Sequence, residues 1–379
     1  MKPIRIITPG FELRGEIDDY TSMWFTSSWH GIGQLELRIN RYKKHVEHLV
    51  KNNLIMVNAQ KVYIIKHREI ELDENGKATE NWVIKALQLK IITGQRITVP
   101  PTTTAYDNKQ GNAETVMKHY VIRNLTNAPD PKRNIDLLSI AQQMNRGPSV
   151  SWQSRFKNLA EELADISLNS GIGWDVTLDI QNKKWLFDVY VGRDLTAGQS
   201  LLPPVIFSPQ FDSLQSLHYS ESELNYKNAA YVGGQGEGID RRIIELGSET
   251  GLTRHEVFID ARDVEEKDEN DQPLPEAQII STLTERGQQK LQEFLQEEYL
   301  EGQILTKSPF TYEEDYDLGD IATIQNKSWG VTMDARLTEV KEIYETSGFK
   351  LEATFGNDRP TLIKKIKQEL SQISGEVRK

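Results

Sequence analysis

The stretch 316–356 constrains the fold more than any other part of the chain. It reads Y-D-L-G-D-I-A-T-I-Q-N, K-S-W-G, V-T-M-D-A-R-L-T-E-V-K-E-I-Y-E, T-S-G and F-K-L-E-A-T-F-G. Asp317, Gly319 and Asp320 predict a tight polar corner, with glycine supplying a backbone angle that side chains resist. A short strand over 321–326 follows. Val331, Met333, Ala335, Leu337, Glu339 and Lys341 share one face of the next strand; its apolar sense is clear at first and frays towards Glu345. Phe349, Leu351, Ala353 and Phe355 alternate with polar residues, the period-two pattern of a strand with one wet face. Thr346, Ser347 and Gly348 supply the hairpin connection. An antiparallel meander with one apolar face must close on itself or cover something. Its partners are expected earlier in the chain.

At 379 residues the chain exceeds one simple core and predicts several domains. No run of about 18 apolar residues occurs, so no membrane span is expected. The N-terminal apolar stretch is too short for a secretory signal and leads straight into a strand pattern. With no cysteine, disulfide stapling, a thiol nucleophile and Cys-ligated zinc are excluded, which suits assembly in a reducing cytoplasm. A formal net charge of −11 argues against a phosphate-gripping surface. It is compatible with a conduit through which DNA slides without specific binding.

Residues 1–100 read as five to seven short strands with turn signals between them, including a hairpin tip at 73–76. The run 98–115 is poor in large apolar residues and marks a boundary. A helix is predicted over 113–125. A second is predicted with Ser151 as its cap, Trp152, Phe156, Leu159, Leu163 and Ile166 on its apolar stripe, and Gly171 or Gly173 as its stop. A hairpin follows, with Trp174, Val176, Leu178 and Ile180 going out and Trp185, Phe187, Val189 and Val191 coming back. This α+β unit lies between β regions and looks inserted. Further strands are predicted near 229–232, 241–246 and 257–259, then a helix over 276–299. A last helix over 358–379 is capped by Asp358, with Pro360 in its first turn.

Several groups invite a chemical role. The glycines of 233–238 (G-G-Q-G-E-G) lack the Gly-Lys-Ser/Thr of a P-loop and the spacing of a dinucleotide fingerprint, so a bend in a β-domain is the reading. His45 and His48, in K-K-H-V-E-H-L-V, stand three residues apart on one side of a short helix. A catalytic zinc needs a third ligand, and this is not H-E-x-x-H, so polar histidines are the reading. The carboxylates of 260–271 lack EF-hand spacing and read as a solvated charge run. Glu313, Glu314 and Asp315 could serve a glycosidase only if two carboxylates faced each other, which neighbours in a loop do not establish. There is no G-x-S-x-G elbow. No catalytic, cofactor-binding or metal residue is assigned. Trp24, Trp29, Trp152, Trp174 and Trp185 could be sugar platforms if exposed; Trp152 and Trp174 fit inward-facing stripes, leaving Trp29 as the residue to check.

The element order, together with E-I-D-D-Y, N-Y-K-N-A-A-Y-V-G-G-Q-G-E-G, Y-D-L-G-D-I and F-G-N-D-R-P-T, resembles the ReqiPepy-type tail family of siphoviruses. That family is similar to contractile-tail baseplate hubs and to the N-terminal module of tail-associated lysins. The resemblance covers Glu16 to about Leu370. It implies an α+β, multidomain protein with two tube-type antiparallel β-barrels. The first spans 1–100 and the second 209–262 with 303–357. An inserted α+β domain at 101–208, a smaller helical insertion at 263–302 and the C-terminal helix complete it. The implied function is structural and non-enzymatic. A homotrimeric hub at the distal tail tip would close the hexameric tube, adapt sixfold to threefold symmetry and open for genome passage. Implied partners are the distal tail ring, tail tube and tape-measure proteins and tip fibre or receptor-binding components, with assembly in the host cytoplasm and residence in the virion. Longer relatives carry a peptidoglycan-degrading or fibre domain, for which this chain leaves no room. A carboxylate-based peptidoglycan hydrolase and a host-surface carbohydrate-binding module are the alternatives.

Overall fold

A computed structural model describes residues 1–71, 80–267, 272–305 and 307–356. The hairpin tip expected at 73–76, the end of the acidic run at 268–271 and the helix expected at 358–379 lie outside the described residues. The architecture is mostly β with a few helices, an α+β protein. No closed barrel is found among the described residues.

The chain opens with β1 (Ile4–Ile7), β2 (Leu13–Ile17), β3 (Ser22–Ser28), β4 (Gln34–Asn40), β5 (Leu54–Met56), β6 (Val62–Glu69) and β7 (Asn81–Gln88). Its middle adds β8 (Asp107–Asn112), α1 (Ala113–Val121), β9 (Leu138–Ile140), β10 (Ser149–Ser154), α2 (Leu159–Ser170), β11 (Gly173–Asp179) and β12 (Lys184–Tyr190). Then come β13 (Asp194–Leu195), β14 (Ile206–Phe207), β15 (Leu214–Ser222), β16 (Ala229–Gly233), β17 (Ile243–Leu246), β18 (Glu256–Asp260) and α3 (Glu276–Leu291). β19 (Glu297–Ile304), β20 (Ile321–Asn326), β21 (Val331–Glu345) and β22 (Gly348–Gly356) follow. Two compact units result, one of residues 1–101, 105–218 and 300–356, the other centred on 219–299.

In the first unit the closing meander finds its partners at the start of the chain. β22 pairs with β21, β21 with β3, and the hydrogen-bonded order continues β4, β7, β6, β5, β1, β2. β21 serves two sheets: residues 331–336 pair with β20, whereas 339–345 pair with β3. The changeover coincides with a register break between Leu337 and Glu339. Before the break Ala335 and Leu337 are buried; after it Val340 and Glu342 are, so the buried face switches from odd to even numbers. A bulge inserts one residue and reverses the parity of everything beyond it. The expected single face running on through Glu339 and Lys341 is therefore corrected, and the fraying towards Glu345 has a cause.

β6 is buried on both sides. Tyr63 and Ile65 join Phe25, Leu37 and Ile84 in one core, while Val62 and Ile64 join the core beneath α1 and α2. The middle segment covers that second face. Asn112 caps α1 by accepting from Thr115 N at 2.9 Å. The stripe Met117, Tyr120 and Val121 packs with Leu159, Leu163, Trp174 and Phe187. The cap expected at Ser151 is corrected. Residues 149–154 form β10, paired with β8, because Val150, Trp152 and Ser154 are buried alternately. Asn158 is the cap of α2, accepting from Ala160 N at 3.0 Å and Glu161 N at 3.3 Å. Gly171 ends that helix with φ 73°, as expected.

A buried ionic group lies in the same segment. The Glu114 carboxylate accepts from Lys118 Nζ at 2.6 Å, from Arg146 Nη2 at 2.9 Å and from the backbone N of Arg146 at 2.8 Å. These donors outweigh desolvation and hold the Glu114 carboxyl well below the usual range.

The second unit is a three-stranded sheet in the order β17, β16, β18 with α3 on one face. Val232 and Ile259 meet Ile279 and Leu283 there. Gly287 permits the contact, since a Cβ at that position would lie 2.3 Å from Leu246 Cδ1. α3 stops at Leu291 rather than near 299, because the chain turns into β19, where Leu300 and Ile304 are buried. No helix among the described residues is long and apolar enough to cross a membrane.

Candidate functional site

Several elements of the first unit converge on Trp29, just past β3. Its backbone N donates to Thr338 O at 2.8 Å, tying the end of β3 to β21. Its indole Nε1 donates to Gly171 O at 3.1 Å, at the end of α2. The ring lies between two glycines. A Cβ on Gly173 would fall 2.4 Å from it, and one on Gly319 would fall 2.2 Å from it. Gly319 also has φ 94°, which a side chain resists. Trp29 is only 6% exposed, so the sugar-platform role considered for it is overturned. Trp152, Trp174 and Trp185 are buried as well.

Around the indole lies a seam of buried and half-buried polar groups. Lys90 is 0% exposed, and its Nζ donates to Ser28 O at 2.6 Å and Trp174 O at 3.0 Å. Trp174 Nε1 donates to His30 O at 2.9 Å, and His30 Nδ1 lies 2.6 Å from Ser167 Oγ. Asp175 accepts from Gln88 Nε2 and from Val176 N, each at 2.7 Å. Burial nevertheless pushes the Asp175 carboxyl up to about 6, against the opposing pull of the Lys90 charge. On the far side, the Asp320 carboxylate binds Arg193, and Arg336 donates to Gly319 O.

A second knot joins β6 to β21. Lys61, immediately before β6, pairs with the buried Glu342 and lies 2.6 Å from Glu313. Its ammonium sits 4.7 Å above the Tyr312 ring and 5.8 Å from that of Phe25. Glu342 also accepts from Tyr344 OH at 2.6 Å.

The residues singled out by sequence are thereby placed. Glu313 is bound to Lys61, and Asp315 accepts from Thr311 N at 2.7 Å. The glycines of 233–238 form the bend between β16 and β17. Their carbonyls face a cation: Arg241 donates to Gly233 O at 3.0 Å and Gly234 O at 3.1 Å, the reverse of a phosphate cradle. The acidic run is mostly exposed over its described part, and several of its carboxylates are matched by arginines. Asp260 is bound by Arg262 and Arg241, Asp263 by Arg286 and Glu266 by Arg242. Arg262, the foremost influence, holds the Asp260 carboxyl well below the usual range. His45 and His48 flank a 3₁₀ turn with Glu47 beside them. Lys61, Lys90, Asp175 and Glu342 escaped sequence reasoning. Only Glu342 stands on an inward-facing strand position, and there the bulge concealed it; Lys61 precedes β6, Lys90 follows β7, and Asp175 alternates with the buried Trp174 and Val176.

This arrangement is a fastening, with polar groups turned inward and satisfied by one another. Solved phage tail proteins share the fold. A 43 kDa tail protein of prophage MuSo2 from Shewanella oneidensis aligns over 93% of this chain and 98% of its own, with TM-score 0.54 and 11% identity. A tail protein of Neisseria meningitidis MC58 gives TM-score 0.54 and 10% identity over 94% and 97%. Prophage tail protein gp18 of Listeria monocytogenes EGD-e gives 0.52 and 11% over 98% and 99%. Comparison with curated proteins finds no match. Residues 3–357 match the model of the Siphovirus ReqiPepy6 Gp37-like proteins, and the chain belongs to that family. It is a structural phage tail protein, a component of the virion and not an enzyme.

Proposed function

We propose that this tail protein is the hub at the distal tail tip, working as a homotrimer. Each copy contributes two tube-like β modules, one from β1–β7 and one around the closing meander β20–β22. Three copies then present six similar modules to the hexameric tail tube, so that sixfold symmetry passes into threefold symmetry. The hub closes the tube until genome release, contacts the distal tail ring and tape-measure proteins, and carries the tip fibre or receptor-binding components. Assembly takes place in the host cytoplasm.

The family match from residue 3 to 357 is the observation that carries this reading. The net charge of −11 supports a lumen that DNA traverses without binding. Negative-stain imaging of the assembled tail tip provides the test. Three copies alternating two modules around an acidic channel are expected; a monomeric side-arm position, or a channel lined continuously by Lys and Arg, would overturn the reading.

A further inference from the structure

We propose that His45, Glu47 and His48 form a binding site for a divalent transition-metal ion of the zinc type. The sequence offered two imidazoles and no third ligand; the fold supplies one. Ligating atoms of all three side chains lie within 4.8 Å of one another. Zinc bonds of about 2.0–2.2 Å place neighbouring ligand atoms roughly 3.3–3.5 Å apart. His48 Nε2 and Glu47 Oε1 already stand 3.5 Å apart. The imidazoles are nearly parallel, with centroids 6.0 Å apart and planes at 23°.

The backbone beneath is fixed. Val46 and Leu49 are buried in the core of the first sheet and anchor the turn from below. His48 N donates to His45 O at 3.1 Å, and Asn53 Nδ2 donates to His48 O at 2.9 Å. His45 itself has φ 69°, a left-handed conformation that a non-glycine residue adopts at a cost. Room for its ring is left by Gly15 on β2, where a Cβ would come within 2.5 Å of His45 Cγ. Two separate departures from ordinary backbone and packing thus hold one imidazole beside the other two ligands. Two of the nearby cations are matched by carboxylates: Lys43 lies 2.8 Å from Asp19, and Arg14 lies 2.8 Å from Glu12.

Two imidazoles and one carboxylate suit zinc, nickel or copper, whereas magnesium and calcium favour all-oxygen sets. Three protein ligands leave a coordination position for water or for a side chain of a docked neighbour. The inference does not depend on the hub reading.

Calorimetric titration of the full chain with ZnCl₂ at pH 7.5 tests it, with MgCl₂ as the control ion. One zinc per chain is expected, with no heat from magnesium. His48→Ala should weaken binding about 10–100-fold, as should His45→Gly, which also suits the positive φ and so preserves the fold. His218→Ala should bind like the parent. At equal zinc concentration, zinc should raise the parent's Tm by more than that of His45→Gly. Absence of saturable zinc binding, or binding that survives both His45→Gly and His48→Ala undiminished, overturns the proposal.

Discussion

Arg193 and Asp320, 127 positions apart, are joined by three hydrogen bonds. The Asp320 carboxylate accepts from Arg193 N at 2.7 Å, Nε at 3.0 Å and Nη2 at 2.6 Å. It also accepts from Asp317 N at 2.8 Å, so one buried side chain both closes the corner before β20 and binds the segment before β13 to it. Carboxylate contact raises the Arg193 guanidinium further above its ordinary range.

Removing that carboxylate leaves several donors unmatched. Asp320→Ala should cost about 2–3 kcal/mol, the range for losing charge-assisted bonds at a partly exposed pair. Arg193→Ala should cost less, because the arginine side chain is 43% exposed. Urea denaturation of both variants checks the order; equal costs would show that the corner does not depend on Asp320.

The glycine sandwich gives a sharper test. Gly319→Ala adds both left-handed strain and a carbon inside the Trp29 ring. Trp29→Ala removes the obstacle but leaves a cavity, at a cost of about 3–5 kcal/mol. Each single variant should be strongly destabilised. In the double variant the penalty should be less than the sum, because the clash disappears with the ring. Thermal unfolding of the three proteins reads this directly, and strict additivity would count against the packing described.

Asp175 predicts an unusual pH response. A half-buried carboxyl raised from its ordinary 3.8 to about 6 by desolvation binds its proton more tightly folded than unfolded. Stability from this group is therefore full below pH 3.8 and is lost as pH rises through 6, by about 2–3 kcal/mol. Asp175→Asn should abolish that loss. Between pH 4.5 and 7 the parent's Tm should fall relative to the variant's; parallel curves would refute the shift. Glu114 acts in the opposite sense, since its depressed carboxyl contributes stability that disappears only on strong acidification.

What the sequence disclosed follows from periodicity. The hairpin of β11 and β12 was legible because Trp174, Val176 and Leu178 face Phe187 and Val189 with unbroken alternation. β8 was not, because D-N-K-Q-G-N carries no apolar alternation and is a strand through its backbone pairing with β10. Trp152 satisfies both a helical and a strand pattern, and pairing with Lys109 decided the matter. The corner at Asp317 and Gly319 was visible as turn chemistry, but Trp29 as its ceiling was not. Contacts across nearly 300 positions have no local signature. The three-ligand group at 45–48 was two-thirds visible; Glu47 gained meaning only once the turn placed it beside both rings.

Lys61 and Glu342 allow the joint between the chain's beginning and its closing strand to be measured. Both side chains are almost fully buried, and the pair is 281 positions apart in sequence. Lys61→Met leaves the Glu342 carboxylate buried, with Tyr344 OH donating to it but no cation beside it, and should cost about 3–5 kcal/mol. Glu342→Met should be similarly costly, because Lys61 then keeps the half-exposed Glu313 as its carboxylate partner, beside the Tyr312 and Phe25 rings. With both replaced, no charge is stranded and the aromatic surroundings of Phe25 and Tyr312 accept the thioether, so most of the stability should return. A coupling energy of at least about 2 kcal/mol in this double-mutant cycle is expected. Glu313→Ala alone should change stability by less than about 1 kcal/mol, as an exposed pair does. If the double variant is no more stable than either single one, the stability of the joint resides in the strand pairing of β21 with β3 rather than in the buried ion pair.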